Sequence, residues 1–136
     1  MLFVKDVTIP ADTKKTSPVE GVIEITRAVI KRIEVFFPYG CRNMVGVQLF
    51  WGEHPIFPRN PEAWVKADGY NVIAECFYFI YQEPYQIKYR IHSEGTIYEH
   101  TVTLRINMLP IWALYPFSDE MYRMAQMEEF GGEKGE

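Results

Sequence analysis

The sequence of 136 residues has only two cysteines, Cys41 and Cys76, which are too few to form a disulfide framework. A domain of this size buries about two-thirds of its unfolded surface, so it needs no metal or disulfide to fold. We expect the two thiols to be small buried side chains rather than a disulfide pair, since cysteine commonly packs as a small hydrophobe. The composition, 48% hydrophobic and 24% charged, is typical of one globular domain.

Basic residues are few and scattered: 14 lysines and arginines stand against 18 acidic residues, for a net charge of −4. Nucleic-acid binding and adsorption to an anionic membrane both need a cationic surface, so neither partner is expected. Long apolar runs are also absent, and no transmembrane helix is predicted. Lys5 and Asp6 interrupt the apolar start of the chain, which argues against a secretory signal and for folding in a cytoplasm.

The residue sets that carry catalysis or bind metals are missing as well. The three serines, Ser17, Ser93 and Ser118, lie where turn or helix-cap chemistry explains them, and no Gly-x-Ser-x-Gly elbow occurs. No CxxC or HxxxH spacing indicates a metal site, and no glycine-rich loop precedes a helix to hold phosphate. A Cys–His pair without a local signature is left open. We predict a protein that is not an enzyme and has no cofactor.

What the chain does contain is regular alternation of apolar and polar residues. Residues 85–91 and 102–108 alternate on either side of the turn sequence 93–96, and this pattern predicts an antiparallel hairpin. Similar short runs upstream indicate seven or eight strands in all, with no amphipathic helix between any pair. We therefore predict an all-β fold, an antiparallel β-sandwich of the jelly-roll or Greek-key type, over residues 1–110.

The character of the chain changes over residues 111–136, which we predict to be an apolar C-terminal arm with a short helix and an acidic tail. Ser118 is suited to cap the helix, Phe117 precedes it at a staple position, and Gly131 would help to end it. Such a helix either reaches a neighbouring subunit or docks on its own sandwich. The sequence leaves both arrangements open.

Aromatic residues make up 15% of the chain, and several lie in a proline-rich loop over residues 52–70, called here the predicted contact loop. Its three prolines restrict the backbone, so ordering it on a partner costs little entropy. It is also longer than an ordinary hairpin connection, which favours a functional role. We predict that this loop and the arm bind other proteins through His54, Ile56, Phe57, Arg59, Trp64, Trp112, Tyr115, Phe117, Met121 and Met124.

Several segments together carry a family resemblance. These are residues 7–13, 26–30, 33–41, 54–61, 84–85 and 96–102. In this order they resemble a family of small virion-associated β proteins encoded with the structural genes of tailed phages and related viruses. The most specific elements are Phe-Pro-x-Gly-Cys and His-x-Ile-Phe-Pro, and Tyr39 departs from the proline expected at its position. The resemblance covers about residues 3–108 and implies a virion-associated role, with no catalytic residues.

These expectations favour a structural virion protein, such as a capsid decoration protein or a minor head or tail component. It would be made in the host cytoplasm, reside in the virion, contact capsid or tail subunits, and form a homo-oligomer. The alternative is a carbohydrate-binding β-sandwich, for example on a receptor-binding fibre. Its sugar-stacking platforms would be Trp51, Trp64 or Tyr70.

Overall fold

The structure, a computed structural model, describes residues 1–114, with side chains through residue 112. This part of the chain is all-β. Its strands are β1 (Leu2–Ile9), β2 (Val19–Glu24), β3 (Ala28–Phe37), β4 (Gly46–Trp51), β5 (His54–Phe57), β6 (Val65–Lys66), β7 (Tyr70–Ile80), β8 (Gln86–His92) and β9 (His100–Leu109). A short 3₁₀ helix (Ile111–Leu114) follows β9.

The strands form two antiparallel sheets arranged as a sandwich. The first sheet has the order β1–β9–β3–β7, and the second has the order β2–β8–β4–β5, with the short β6 also paired to β4. The chain passes from one sheet to the other at nearly every connection. The predicted all-β fold of two antiparallel sheets is confirmed.

Alternating side chains fill the space between the sheets. In β3, Ile33, Val35 and Phe37 are buried, while Arg32 and Glu34 between them are partly exposed. This follows because successive side chains of a strand point to opposite faces. Strand β9 shows the same alternation over its length, and its inward residues belong to the same apolar core. On the outward face of the first sheet, Arg32 and Glu34 form an ion pair.

The predicted hairpin is wrong, although both of its strands exist. Strand β8 lies in the second sheet between β2 and β4, whereas β9 lies in the first sheet between β1 and β3. The connection 93–99 therefore crosses between the sheets instead of turning back on itself. Alternation shows only that one face of a strand is buried, and this holds for a strand of either sheet.

The predicted contact loop contains two further strands, β5 and β6, so the described chain has nine strands where seven or eight were predicted. Both pair with β4. Between them the chain passes over the second sheet, where the Gln48 amide donates to the carbonyls of Pro61 at 2.9 Å and Ala63 at 2.8 Å. This loop is therefore fixed to its own domain.

A short 3₁₀ helix is the last element of the described chain. Strand β9 ends at Leu109 and the 3₁₀ helix begins at Ile111, so the predicted boundary at residue 110 falls between two elements. No helix in the described residues has the length and apolarity needed to cross a bilayer. Outside these residues lie the predicted helix after Ser118 and the predicted contact residues Tyr115, Phe117, Met121 and Met124.

Candidate functional site

No three His, Cys, Asp or Glu side chains in the described part of the chain converge to hold a metal ion. Both cysteines are free thiols, and burial, with Asp68 nearby, raises the pKa of Cys41 to about 11. The Ser93 hydroxyl donates to the Pro10 carbonyl at 2.6 Å and accepts the Thr13 N–H at 2.9 Å, so it links two loops.

Two residues of the predicted contact loop, Ile56 and Trp64, pack against their own domain. Ile56 belongs to the core. The Trp64 ring packs edge-to-face on His92 with 4.5 Å between centroids, and the Arg90 guanidinium lies 5.9 Å from the Trp64 ring centroid. Gly46 leaves no room for a side chain at this place, since an added Cβ would overlap the His92 ring and the Trp64 Cβ. Trp64 thus packs against the second sheet.

The remaining described members of the predicted contact set are more accessible. His54 and Arg59 are exposed, and Phe57 is partly buried. Trp112, in the 3₁₀ helix, is about half exposed. Their contact with another protein stays a prediction.

Of the three aromatic residues predicted as sugar platforms, Tyr70 is exposed and the two tryptophans are not. Trp51 is 7% exposed, its indole N–H donates to the Pro84 carbonyl at 2.8 Å, and its ring packs edge-on against Tyr81 at 5.4 Å. Trp64 is partly buried. Besides Tyr70, the most exposed aromatic side chains of the described residues are Tyr39, Phe77 and Tyr98.

Four connections meet at one end of the sandwich, called here the loop end. It comprises residues 10–18, 38–45, 67–69 and 93–99. Main-chain groups join two of these connections: the Gly69 N–H donates to the Pro38 carbonyl at 3.2 Å, and the Gly40 N–H donates to the Asp68 carboxylate at 2.8 Å. The β3–β4 and β6–β7 connections are thereby held together.

A second set of hydrogen bonds joins the β8–β9 connection to the β1–β2 connection. The Asp12 carboxylate accepts the Gly95 N–H at 2.9 Å, and the Asp12 N–H donates to the Thr96 hydroxyl at 3.0 Å. The Gly95 hydrogen bond and the Lys14 ammonium lower the pKa of Asp12, which keeps its carboxylate charged. Together with the bonds of Ser93, these contacts fix both loops to each other.

The β3–β4 connection has a left-handed backbone. Gly40 has a φ of 101°, and Arg42 and Asn43 have φ values of 52° and 60°. For residues with a Cβ this region costs about 1–2 kcal/mol each. Such a conformation persists only where the surroundings enforce it. Here the Gly40 N–H donates to the Asp68 carboxylate at 2.8 Å and the Met44 N–H donates to the Cys41 carbonyl at 2.8 Å. The Tyr39 ring lies against the bare backbone of Gly69, and most of its surface faces solvent.

Large apolar side chains project from these joined loops into solvent. Tyr39 is 85% exposed, Ile97 78% and Tyr98 70%, and Met44 is exposed to a lesser degree; the four are called here the apolar tips. They border a cleft of about 630 Å³. The cleft is also lined by Arg42, Glu99 and His100. Exposed apolar groups on well-ordered loops are a common feature of interaction surfaces.

The sequence prediction does not include the apolar tips. It placed the turn of the predicted hairpin at residues 93–96 and its second strand from residue 101, and it gave Ile97 and Tyr98 no role. One signal was present: two large apolar residues directly follow the polar turn residues 93–96, in a place where polar residues are ordinary. Tyr39 was also visible as the departure from the family pattern.

Comparisons with known proteins identify only distant structural similarities. No family model matches the chain, and no curated protein matches it. Similar solved structures include the hydroxypropylphosphonic acid epoxidase of S. wedmorenis in complex with fosfomycin, with a TM-score of 0.39 and 11% identity over 79% of this chain and 43% of that chain. PirA has a TM-score of 0.35 and 16% identity, over 76% of this chain and 93% of that chain.

A third similar structure is a family two carbohydrate esterase from Cellvibrio japonicus, with a TM-score of 0.31 and 11% identity over 82% of this chain. The chain spans 43% of the epoxidase and 37% of the esterase, less than half of each. Similarities at these scores carry no argument about function.

Proposed function

We propose that the protein is a structural component of a virus particle, not an enzyme, and that it binds neighbouring protein subunits through the apolar tips. The observation that carries this proposal is the exposure of Tyr39, Ile97 and Tyr98 on loops joined by hydrogen bonds. Fixed loops lose little entropy on binding, and tyrosine anchors commonly dominate the energy of protein interfaces. A capsid or tail subunit, or a second copy of the chain, is the proposed partner.

We infer further that the fold is a jelly roll. One sheet has the strand order β1–β9–β3–β7 and the other has the order β2–β8–β4–β5. This order is typical of a jelly roll, in which eight antiparallel strands form two Greek keys. Jelly rolls occur in viral capsid proteins, in lectins and in cupins. The fold is therefore compatible with the virion role and with sugar binding alike.

The family resemblance supports the virion role at the same place in the molecule. Its Phe-Pro-x-Gly-Cys element corresponds to residues 37–41, which lead into the loop end. This element contains Tyr39, the most exposed of the apolar tips. One of the two most specific elements of the resemblance thus contributes a residue to the proposed contact surface, at the position where this chain departs from the family pattern.

The test compares particle incorporation of the wild-type chain and a triple variant, Tyr39→Ser, Ile97→Ser and Tyr98→Ser. Mass spectrometry of purified particles of the encoding virus measures the amount of each chain. We expect incorporation to fall at least about tenfold, since the loss of two or three interface anchors costs well over 1.4 kcal/mol. The melting temperature should stay within about 3 °C, because the replaced side chains are exposed.

The matched control replaces exposed apolar residues of the first sheet, Leu2→Ser, Val4→Ser and Ile73→Ser. This variant should enter particles as the wild-type chain does. Equal incorporation of the loop-end variant and the control would refute the proposed contact surface. Absence of the wild-type chain from purified particles would refute the virion role itself.

Carbohydrate binding is the second candidate, and the exposure of several tyrosines favours it. Tyr39 and Tyr98 are apolar tips, and the exposed Tyr70 begins β7 directly after the 67–69 connection. Exposed aromatic faces on one subunit can stack on sugar rings. A glycan array probed with the wild-type chain and with Tyr39→Ser decides this candidate: it requires binding to a defined glycan that the substitution abolishes. An array without any bound glycan would eliminate it.

A further inference from the structure

Strand β7 is an edge strand that lacks the usual protection. Among the described strands it pairs only with β3, and its 11 residues contain no lysine, arginine or proline. Its one charged residue, Glu75, is paired with Arg32 at 2.8 Å. A register shift opposite residues 30–32 is its one irregularity. Edge strands are ordinarily protected by charge, by proline or by a covering segment.

An aromatic groove runs beside the C-terminal half of β7. It has a volume of about 300 Å³. Its walls are Trp51, His54, Phe77, Tyr78, Phe79 and Tyr81. Phe77 is 75% exposed, so the most apolar wall of the groove faces solvent. Removing such an aromatic surface from water is favourable by about 25 cal/mol for each Å².

Two cations stand beside the groove. The Arg27 guanidinium lies 5.6 Å from the centroid of the Phe79 ring. Burial raises the pKa of Tyr78, and the positive charge of Arg59 close by acts in the opposite direction. The groove thus combines an apolar surface with a positive rim, and an occupant with aromatic and acidic groups would complement it.

The chain itself continues close to this groove. Leu109, at the end of β9, pairs with Val29 of β3, and Val29 pairs on its other side with Phe79. Two strand spacings, about 10 Å, therefore separate the end of β9 from the groove. Residues 115–136 follow the described part, and a segment of this length can extend over as much as about 70 Å.

The composition of residues 115–136 complements the groove. Six of the 18 acidic and two of the 14 basic residues of the chain lie in this segment, so it carries the whole net charge of −4. Its first 16 residues are rich in aromatic and methionine side chains. These are Tyr115, Phe117, Met121, Tyr122, Met124, Met127 and Phe130.

We propose that residues 115–130 bind the aromatic groove of the same chain and cover the open edge of β7. Their apolar side chains lie over Phe77 and Phe79, and their carboxylates lie toward Arg27 and Arg59. This surface is separate from the loop end, so the proposal does not depend on the function proposed above.

Hydrogen exchange on the full-length chain tests the proposal from the groove side. Phe77→Ser with Phe79→Ser should accelerate amide exchange in residues 115–130 at least about tenfold. The matched control, Ile73→Ser on the same strand, should leave that exchange unchanged. If exchange in residues 115–130 is the same in all three proteins, the groove does not hold the segment and the proposal is wrong.

The reverse experiment changes the segment and observes the strand. Phe117→Ser with Met121→Ser should accelerate exchange in residues 76–81 and leave residues 102–108 unaffected, whereas Lys134→Ser, beyond the apolar part, should change neither. Light scattering completes the test. A monomer agrees with binding in the same chain. If the wild-type chain is a dimer and the substitutions in the segment abolish that dimer, the groove holds the segment of a neighbouring chain. If the dimer persists in the variant, the edge of β7 pairs with a second copy. Either result overturns the proposal.

Discussion

The loop end and the aromatic groove are both exposed surfaces, but they are stabilised in opposite ways. At the loop end, hydrogen bonds of Ser93, Asp12 and Thr96 hold the connections, and the apolar tips take no part in them. At the groove, the aromatic rings pack on one another, and Trp51 at its base is nearly fully buried. At the loop end, the groups that stabilise the fold differ from the side chains available to bind a partner. In the groove, the same aromatic side chains serve both purposes.

This difference determines what a substitution can reveal. A tip side chain can be replaced with little change in stability, so a loss of binding there reports on binding alone. A groove side chain serves the fold as well, so its replacement must be judged against a stability measurement.

Trp51→Ala should lower the free energy of unfolding by about 4 kcal/mol, as is usual for removing a buried tryptophan. The indole hydrogen bond to Pro84 and the packing against Tyr81 are lost with it. Urea unfolding measures the change. Tyr81→Ala, which removes an exposed partner of the same cluster, should cost only about 1 kcal/mol. Equal losses of stability in the two variants would show that the buried Trp51 contributes no more to folding than the exposed Tyr81.

Acid should lower the free energy of unfolding because of His92, which lies near the loop end. This side chain is 1% exposed, and its Nδ1 accepts the Glu94 N–H at 3.2 Å. Burial, with Lys15 and Lys66 nearby, lowers the pKa of His92 to about 4.

Because the folded-state pKa lies below the unfolded value of about 6.5, the unfolded chain binds the proton more readily between these two values. Stability from His92 is complete above pH 6.5 or so and should fall by on the order of 3 kcal/mol by about pH 4. Urea unfolding across this range gives the slope, which His92→Gln should reduce. An unchanged slope in that variant would assign the acid sensitivity to other groups.

Ser93→Ala should destabilise the protein by about 2 kcal/mol, because the Thr13 N–H loses its acceptor and the Pro10 carbonyl loses one of its two donors, keeping only the Thr13 hydroxyl. Ser17→Ala, at an exposed position of the same loop, should change stability by less than about 0.5 kcal/mol. Thermal and urea unfolding of the two variants measure the difference. Similar stabilities would mean that the hydrogen bonds between the loops contribute little.

Much of the fold can be predicted from the sequence because strand alternation is a local property. The pattern predicted the strands that became β8 and β9, and the all-β architecture followed from it. The partners of those strands could not be predicted in the same way. Each has one apolar face, and that face packs equally well from either sheet. The predicted hairpin failed at this point.

The candidate site was predicted less well, for a related reason. Trp64 and Ile56 looked like exposed residues of a long loop, but the amide of Gln48 and the bare backbone of Gly46 hold that loop against the second sheet. Whether a loop aromatic packs inward or outward depends on residues distant in sequence. The apolar tips were missed for the same reason, since Tyr98 becomes prominent only when four connections assemble.

The pairing of β1 with β9 has a consequence for how the chain is made. Every residue from Leu2 to Ile9 pairs with a residue between His100 and Asn107. During synthesis β1 therefore has no partner strand until β9, the last strand of the sandwich, has emerged from the ribosome. Folds dominated by such distant pairings fold in milliseconds to seconds, far more slowly than helical bundles. An apolar strand left open for that time invites aggregation, so high-level expression should benefit from slower synthesis at low temperature.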